Sequence, residues 1–291
     1  MKIAHIINVT ELDDSKKSSY LHIAQPLTIK SMLVAKQRAS NEVDVELFYV
    51  KHNSEIVTMP PEFNQARNIE KYAWEYIDAL SGIVPQKPLP RIKDIIFSLY
   101  DSSNADFFIY TNLDIGLRPD FYKFVKELID GGYDAFCINR RTLPKEHNGK
   151  LLDESTYNLI LKIKGSRHPG TDCFVFKREI VPSLNLGNTY IGYPPIGRVL
   201  RTQIRKNSKR FRWVKDKKLT FHIGDDRIWN NINNPYYEQN MIEARGLYVN
   251  QNKFLKKMEN RVRKLRNRSR SIFRKYSSLI LKLNTEVQKH P

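Results

Sequence analysis

Asn112 and Asp114 stand two residues apart where the apolar run Phe107-Phe108-Ile109-Tyr110 gives way to polar residues. On an extended backbone that spacing points both side chains to one side. A carboxylate and an amide carbonyl aimed at one point suit a hard divalent cation, and such a cation suits a diphosphate. The competing reading is turn and cap chemistry, with Asp120 after Pro119 opening a new helix. The run is short, aromatic and β-branched with no helical period, so it reads as a buried strand. Its carboxyl end carries Thr111-Asn112-Leu113-Asp114, and in open α/β sheets ligands bind at that end.

Three more clusters carry chemistry. Asn139-Arg140-Arg141 follow the strand-like stretch Ala135–Ile138. Their guanidinium groups could clamp phosphates, or could be solvated loop charges. His168-Pro169-Gly170-Thr171-Asp172 precede another strand-like stretch; Asp172 could be a general base or a sugar-hydroxyl acceptor, and a plain Pro-Gly turn is the alternative. His222 closes Thr220–Ile223 and could offer a neutral imidazole to a metal. Asp225 and Asp226 behind it could ligate, orient His222 or cap a helix near Trp229. Arg91 lies at the start of a helix-like run, a natural anion site.

These residues need a frame. Strand-like runs fall near Ile3–Val9, Val43–Val50, Phe107–Thr111, Ala135–Asn139, Cys173–Lys177 and Leu219–Ile223. Helix-like runs fall near Pro26–Ala39, Glu70–Leu80, Ile92–Tyr100, Phe121–Ile129, Glu154–Ile163 and Ile196–Lys206. Such alternation predicts an α/β domain with a mixed, mostly parallel sheet flanked by helices. No GxGxxG, GxxxxGK[ST], HExxH or GxSxG occurs, which argues against the commonest dinucleotide, ATPase, metalloprotease and hydrolase sites. The 291 residues hold no apolar stretch of bilayer length, and MKIAHIINVT reads as a first strand rather than a signal peptide. Cys137 and Cys173 read as free buried thiols. Together these predict a cytoplasmic protein.

The net charge of +18 is uneven: from Gln251 to Pro291 thirteen Lys and Arg face two Glu, a net of +11. Apolar residues there fall at Leu255, Met258, Val262, Leu265, Ile272, Tyr276, Leu279 and Leu283, a heptad-like stripe on one long helix. The expected domains are therefore residues 1–235 and a helical basic extension, 236–291. The stripe could pack on the body or a second copy, making a homo-oligomer, or lie peripherally on the anionic inner face of a membrane. Nucleic acid is disfavoured, since few aromatics interleave the charges.

The order of a helix, ADFFIYTNLDIGLRPDFYKFV, a second helix and GYDAF resembles the central portion of GT-A-fold glycosyltransferases. Asn112-Leu113-Asp114 match the family's Asp-x-Asp, and HPGTDCFVFKRE and TFHIGDDRIW resemble two later segments. The resemblance implies a nucleotide-diphosphate sugar as donor, bound near Asn8, Thr10, Arg91, Asn112, Arg140 and Arg141. It implies a Mn2+ or Mg2+ ion on Asp114, helped by Asn112 and His222. Asp114 and Asp172 are the catalytic residues it implies, with Asp172 as base if the reaction inverts. Tyr193, Asp225, Asp226 and Trp229 would face a glycan or lipid-linked acceptor, as in polysaccharide biosynthesis. Two departures stand out: Asn112 replaces an acid, and Ile191–Val199 has none. Two other functions stay open: a sugar nucleotidyltransferase, and a non-catalytic scaffold binding acidic partners through the tail.

Overall fold

Six of the seven residues of β1 (Lys2–Asn8) are buried, as are all five of β4 (Phe107–Thr111). Strands covered on both faces need such continuous apolar runs. The structure, a computed structural model, describes residues 1–12, 20–224 and 234–247. The main sheet runs β3 (Phe63–Gln65), β2 (Asp44–Val50), β1, β4, β9 (Ser166–Lys177), β6 (Ala135–Leu143), β11 (Thr220–Ile223) and β5 (Gly116–Leu117). β10 (Phe211–Val214) pairs with the first half of β6. Pairings are parallel except those of β9 with β4 and β6, and of β5 with β11. The expected mixed, mostly parallel sheet is therefore present.

The antiparallel β9 matters most for the site. Its amino end lies beside the carboxyl ends of β4 and β6, with Cys173 opposite Thr111 and Thr171 opposite Asn139. β9 starts at Ser166, so His168-Pro169-Gly170 is strand and not the expected turn. Register shifts around Asn139 leave those residues opposite an irregularity, where a proline removes no ladder bond.

Helices cover the sheet. α1 (Tyr20–Ala39) and α4 (Phe121–Asp130) pack Met32, Ala35, Phe121 and Val125 onto Ile3, Ile7 and Ile109. α3 (Ile92–Ser102) buries Ile92, Ile95, Ile96 and Leu99 at helical spacing. The expected helix Glu70–Leu80 is instead a 3-10 turn, Ala73–Glu75, and the single-turn α2 (Asp78–Ser81). Its aromatics are drawn to separate partners: Tyr72 stacks on His52 and Tyr76 lies under Arg91. α5 (Tyr157–Lys162) is shorter than expected, because Asp153 and Thr156 hydrogen-bond each other in a turn before it. α6 (Ile196–Asn207) presses Gly197 against β9, where a Cβ would meet the Thr171 carbonyl at 2.7 Å.

The first compact unit runs from Met1 to Glu243, so it takes in most of the last described helix. α7 (Pro235–Gly246) explains this: the Asn240 amide donates to the carbonyls of Tyr190 and Tyr193, at 3.0 and 2.9 Å. No helix among the described residues is long and apolar enough to cross a membrane. The apolar stripe of the tail, Asp225, Asp226 and Trp229 lie outside the described residues.

Candidate active site

β4 ends at Thr111, whose hydroxyl meets His5 Nε2 at 2.9 Å, while His5 Nδ1 meets the Tyr122 hydroxyl at 2.8 Å. Beyond it the Ile115 N–H donates to the Asn112 carbonyl at 3.2 Å, closing a turn over Asn112–Ile115. The two polar side chains are thus not on extended backbone, and they take different partners. The spacing expectation fails because the strand stops one residue short of the motif.

Asp114 turns toward β11. Its Oδ2 lies 3.1 Å from His222 Nε2, and its Oδ1 is buried with no hydrogen-bond partner. Burial pushes the Asp114 carboxyl up, but the hydrogen bond and charge of His222 and the charge of Arg140 outweigh it, holding it below the usual carboxylate range. His222 Nδ1 faces the Gly224 carbonyl at 2.8 Å, so that nitrogen carries the hydrogen. In a neutral ring Nε2 then presents a lone pair, which accepts the Tyr20 hydroxyl at 2.8 Å. With that one lone pair given to Tyr20, Nε2 brings no proton to Asp114 Oδ2, and a proton or a cation between them would relieve the contact.

Asn112 turns toward β9. Its Oδ1 accepts the Tyr110 hydroxyl at 2.8 Å, and its Nδ2 faces Asp172 Oδ1 at 3.5 Å. Arg140 Nη1 donates to Asp172 Oδ2 at 2.6 Å, with both side chains largely covered. Arg140 Nε is buried without a partner, and Nη2 lies 3.5 Å from His168 Nε2. Five predicted residues (Asn112, Asp114, Arg140, Asp172 and His222) therefore meet beyond the carboxyl end of β4, in the second half of β6, on β11 and in the middle of β9.

Others lie apart. Arg91 spends its guanidinium on Asp94 (2.8 Å, twice) and Asn188 (3.0 Å), stacked 3.2 Å over Tyr76. Arg141, next to Arg140 on the strand, points to the other face and reaches the Asp216 carbonyl at 3.4 Å. Tyr193 is only 5% exposed; Tyr236 stacks on its ring, and Lys87 and Asn234 donate to its hydroxyl. Its aromatic face belongs to the core. Asn8 and Thr10 close β1; Thr10 hydrogen-bonds Gln25 and the Glu55 carboxylate. Tyr110, Tyr20 and His168 join the cluster without having been assigned a role from sequence. Tyr110 was legible from its two-residue spacing to Asn112. Tyr20, 202 residues from His222, had no local signal.

A cation fits this donor set in part. No group of three His, Cys, Asp or Glu converges among the described residues. Asp114 Oδ1 supplies one ligand position and His222 Nε2 a second once Tyr20 releases its lone pair; water and phosphate oxygens commonly complete such a shell. Asn112 keeps a second lone pair on its carbonyl oxygen beside the one that Tyr110 holds.

No protein-family model and no curated protein matches the sequence. Among solved structures, Staphylococcus aureus TarS residues 1–349 is similar at 14% identity and a TM-score of 0.44, over 77% of this chain. The chain spans 60% of the length of that structure. Glucosyl-3-phosphoglycerate synthase from Mycobacterium tuberculosis, in complex with Mn2+, UDP-glucose and phosphoglyceric acid, gives 14% and 0.45 over 82% of this chain and 77% of its own. A Bacillus anthracis structure described as a glucose-1-phosphate thymidylyltransferase gives 10% and 0.43 over 85% of this chain and 95% of its own. The fold assignment rests on the strand order and the antiparallel β9 rather than on these scores. On that footing the chain is an α/β protein with a mixed, mostly parallel sheet flanked by helices.

Proposed function

We propose that this protein transfers a sugar from a nucleotide-diphosphate sugar to an acceptor hydroxyl. The observation that carries the reading is the convergence of Asp114, with its buried unpartnered oxygen, on His222, Arg140 and Asp172 at one sheet end. Asp114 and His222 would hold a divalent cation, which when bound neutralises charge on the departing diphosphate. Arg140, with a free buried Nε, stabilises the same charge by hydrogen bonds. Asp172 receives the acceptor proton on Oδ1, the oxygen that Arg140 leaves free, while Arg140 fixes Oδ2. In the balanced step the acceptor oxygen bonds the anomeric carbon, the bond to the diphosphate breaks, and the proton passes to Asp172. The acceptor in this reading is a glycan or lipid-linked saccharide, and the site works on the cytoplasmic side.

Thermal-shift measurements with nucleotide sugars, with and without Mn2+, test this. A shift that needs both supports the transferase. A shift with nucleoside triphosphates alone would mean a nucleotidyltransferase, and no shift with any nucleotide would mean a scaffold. Asp114→Asn keeps the side-chain volume, so it should lower transfer by about 100-fold or more with the fold intact. Full activity in that variant would sink the proposal.

A further inference from the structure

The basic charge of the body is concentrated in one place. Between Ile196 and Gly224 ten Lys and Arg stand against the single acid Asp216, a net of +9, whereas the rest of residues 1–250 sums to −2. Asp216 itself faces Arg167 at 3.2 Å. The segment is α6, β10 and the approach to β11, and Arg205, Lys206, Lys209, Lys215 and Lys218 are exposed along it, whereas Arg210, Arg212 and Lys217 turn to the other face, over Tyr133 and Phe124. In its midst Trp213 is 37% exposed, with the Arg201 guanidinium 4.0 Å and Lys215 Nζ 4.7 Å from its ring centre.

Two hydrogen bonds tie this patch to the candidate site. Trp213 Nε1 donates to Asn139 Oδ1 at 2.6 Å, and Asn139 precedes Arg140. Arg201 Nη1 donates to Thr171 Oγ1 at 2.9 Å, and Thr171 precedes Asp172. The patch thus touches the strand neighbours of both members of the Arg140–Asp172 pair, at the register shift between β6 and β9. Asp134 fixes the geometry by accepting the backbone N–H groups of Lys209 and Arg210 at 2.6 and 2.7 Å.

We infer that this patch docks an anionic saccharide acceptor, whose repeated phosphate or carboxylate groups meet the lysines and arginines beside the indole of Trp213. The inference rests on the transferase reading and names its acceptor class. Charge complementarity selects a polyanion. Continuity with Asp172 selects one that carries the reacting hydroxyl. Within residues 196–224 Trp213 is the one exposed large hydrophobic side chain. A single-stranded nucleic acid needs successive stacking aromatics, and a membrane surface needs an apolar face, so both fit less well.

The test is calorimetric titration of the full chain with hexagalacturonate and with neutral maltohexaose. The expected result is binding of hexagalacturonate about tenfold or more tighter than maltohexaose, weakening as salt rises. The double variant Lys215→Glu, Lys218→Glu should lose about tenfold in that affinity while its Mn2+-dependent nucleotide-sugar thermal shift stays the same. Retention of hexagalacturonate affinity within about twofold overturns the inference. So does tighter binding of oligothymidine or phosphatidylglycerol vesicles than of hexagalacturonate. Failure of the transferase reading shows separately, as a missing nucleotide-sugar shift in the unsubstituted protein, and removes the acceptor role whatever the saccharide data.

Discussion

Tyr110 donates its hydroxyl to Asn112 Oδ1, which turns the amide nitrogen toward Asp172. A carboxylate at position 112 could still accept from Tyr110 but would have nothing to donate. It would place a second negative charge within 3.5 Å of Asp172, with Arg140 the nearby cation. Asn112→Asp should therefore cost about 1 kcal/mol without metal, a fall of roughly 2–4 °C in melting temperature. Mn2+ should restore more than that loss, because a second acid beside Asp114 strengthens the cation site. Differential scanning calorimetry with and without Mn2+ decides it; an unchanged metal-free melting temperature would mean that Asn112 is not wired to Asp172. The residue types of the site were legible in the sequence, since Asp114, Asp172, Arg140 and His222 flank or close its strand-like runs, although β6 and β9 extend past Arg140 and Asp172. Their pairing was not, because it depends on a turn that begins at Asn112 and on contacts more than a hundred residues apart.

Among the elements, long runs were readable and short ones were not. β1, β2, β4, α3 and α4 follow apolar runs or periods that span five to eleven residues. β3, β5 and β10 have two to four residues each and exist because a neighbour offers a ladder. The hairpin of β7 (Glu146–His147) and β8 (Lys150–Leu151) had a readable signal, Asn148-Gly149, both with positive φ (52° and 73°). It joins strands of only two residues, too short for an alternating pattern. Arg118 shows how an element can depend on a distant side chain. Its guanidinium donates to the carbonyls of Ile160, Leu161 and Ile163, at 3.1, 2.6 and 2.6 Å, satisfying the last turn of α5. Arg118→Met keeps an apolar stem and removes all three donors, together with the guanidinium that lies 5.4 Å from the Phe221 ring centre. It should destabilise the fold by roughly 2–3 kcal/mol, read as a lower urea midpoint, with hydrogen exchange rising first in α5. Uniform loss of protection across the sheet instead would assign Arg118 to the core and not to the helix end.

At the scale of the whole molecule, the sheet carries one buried titratable group that links its core to its site. His5 sits on β1 in the middle of the sheet, fully buried, with both ring nitrogens on hydroxyls, Tyr122 on α4 and Thr111 at the end of β4. Hydroxyls can donate to one nitrogen and accept from the other, so the neutral ring is fully satisfied. Burial pushes its pKa down to about 3 from the usual 6.5. In the unfolded chain His5 takes a proton below about 6.5, whereas in the fold it stays neutral until about 3. The unfolded state therefore binds more protons across that window, and acid favours it. The contribution of His5 is fully present above pH 6.5 and is lost as pH falls, at about 1.4 kcal/mol per pH unit. His5→Gln can still bridge the two hydroxyls but does not titrate. Urea unfolding at successive pH values from neutrality down to about 4.5 should give a shallower loss of stability in His5→Gln than in the parent. Carboxylates titrate in both proteins and cancel in the comparison, so parallel pH profiles would show that the buried imidazole is not what makes the sheet acid-sensitive.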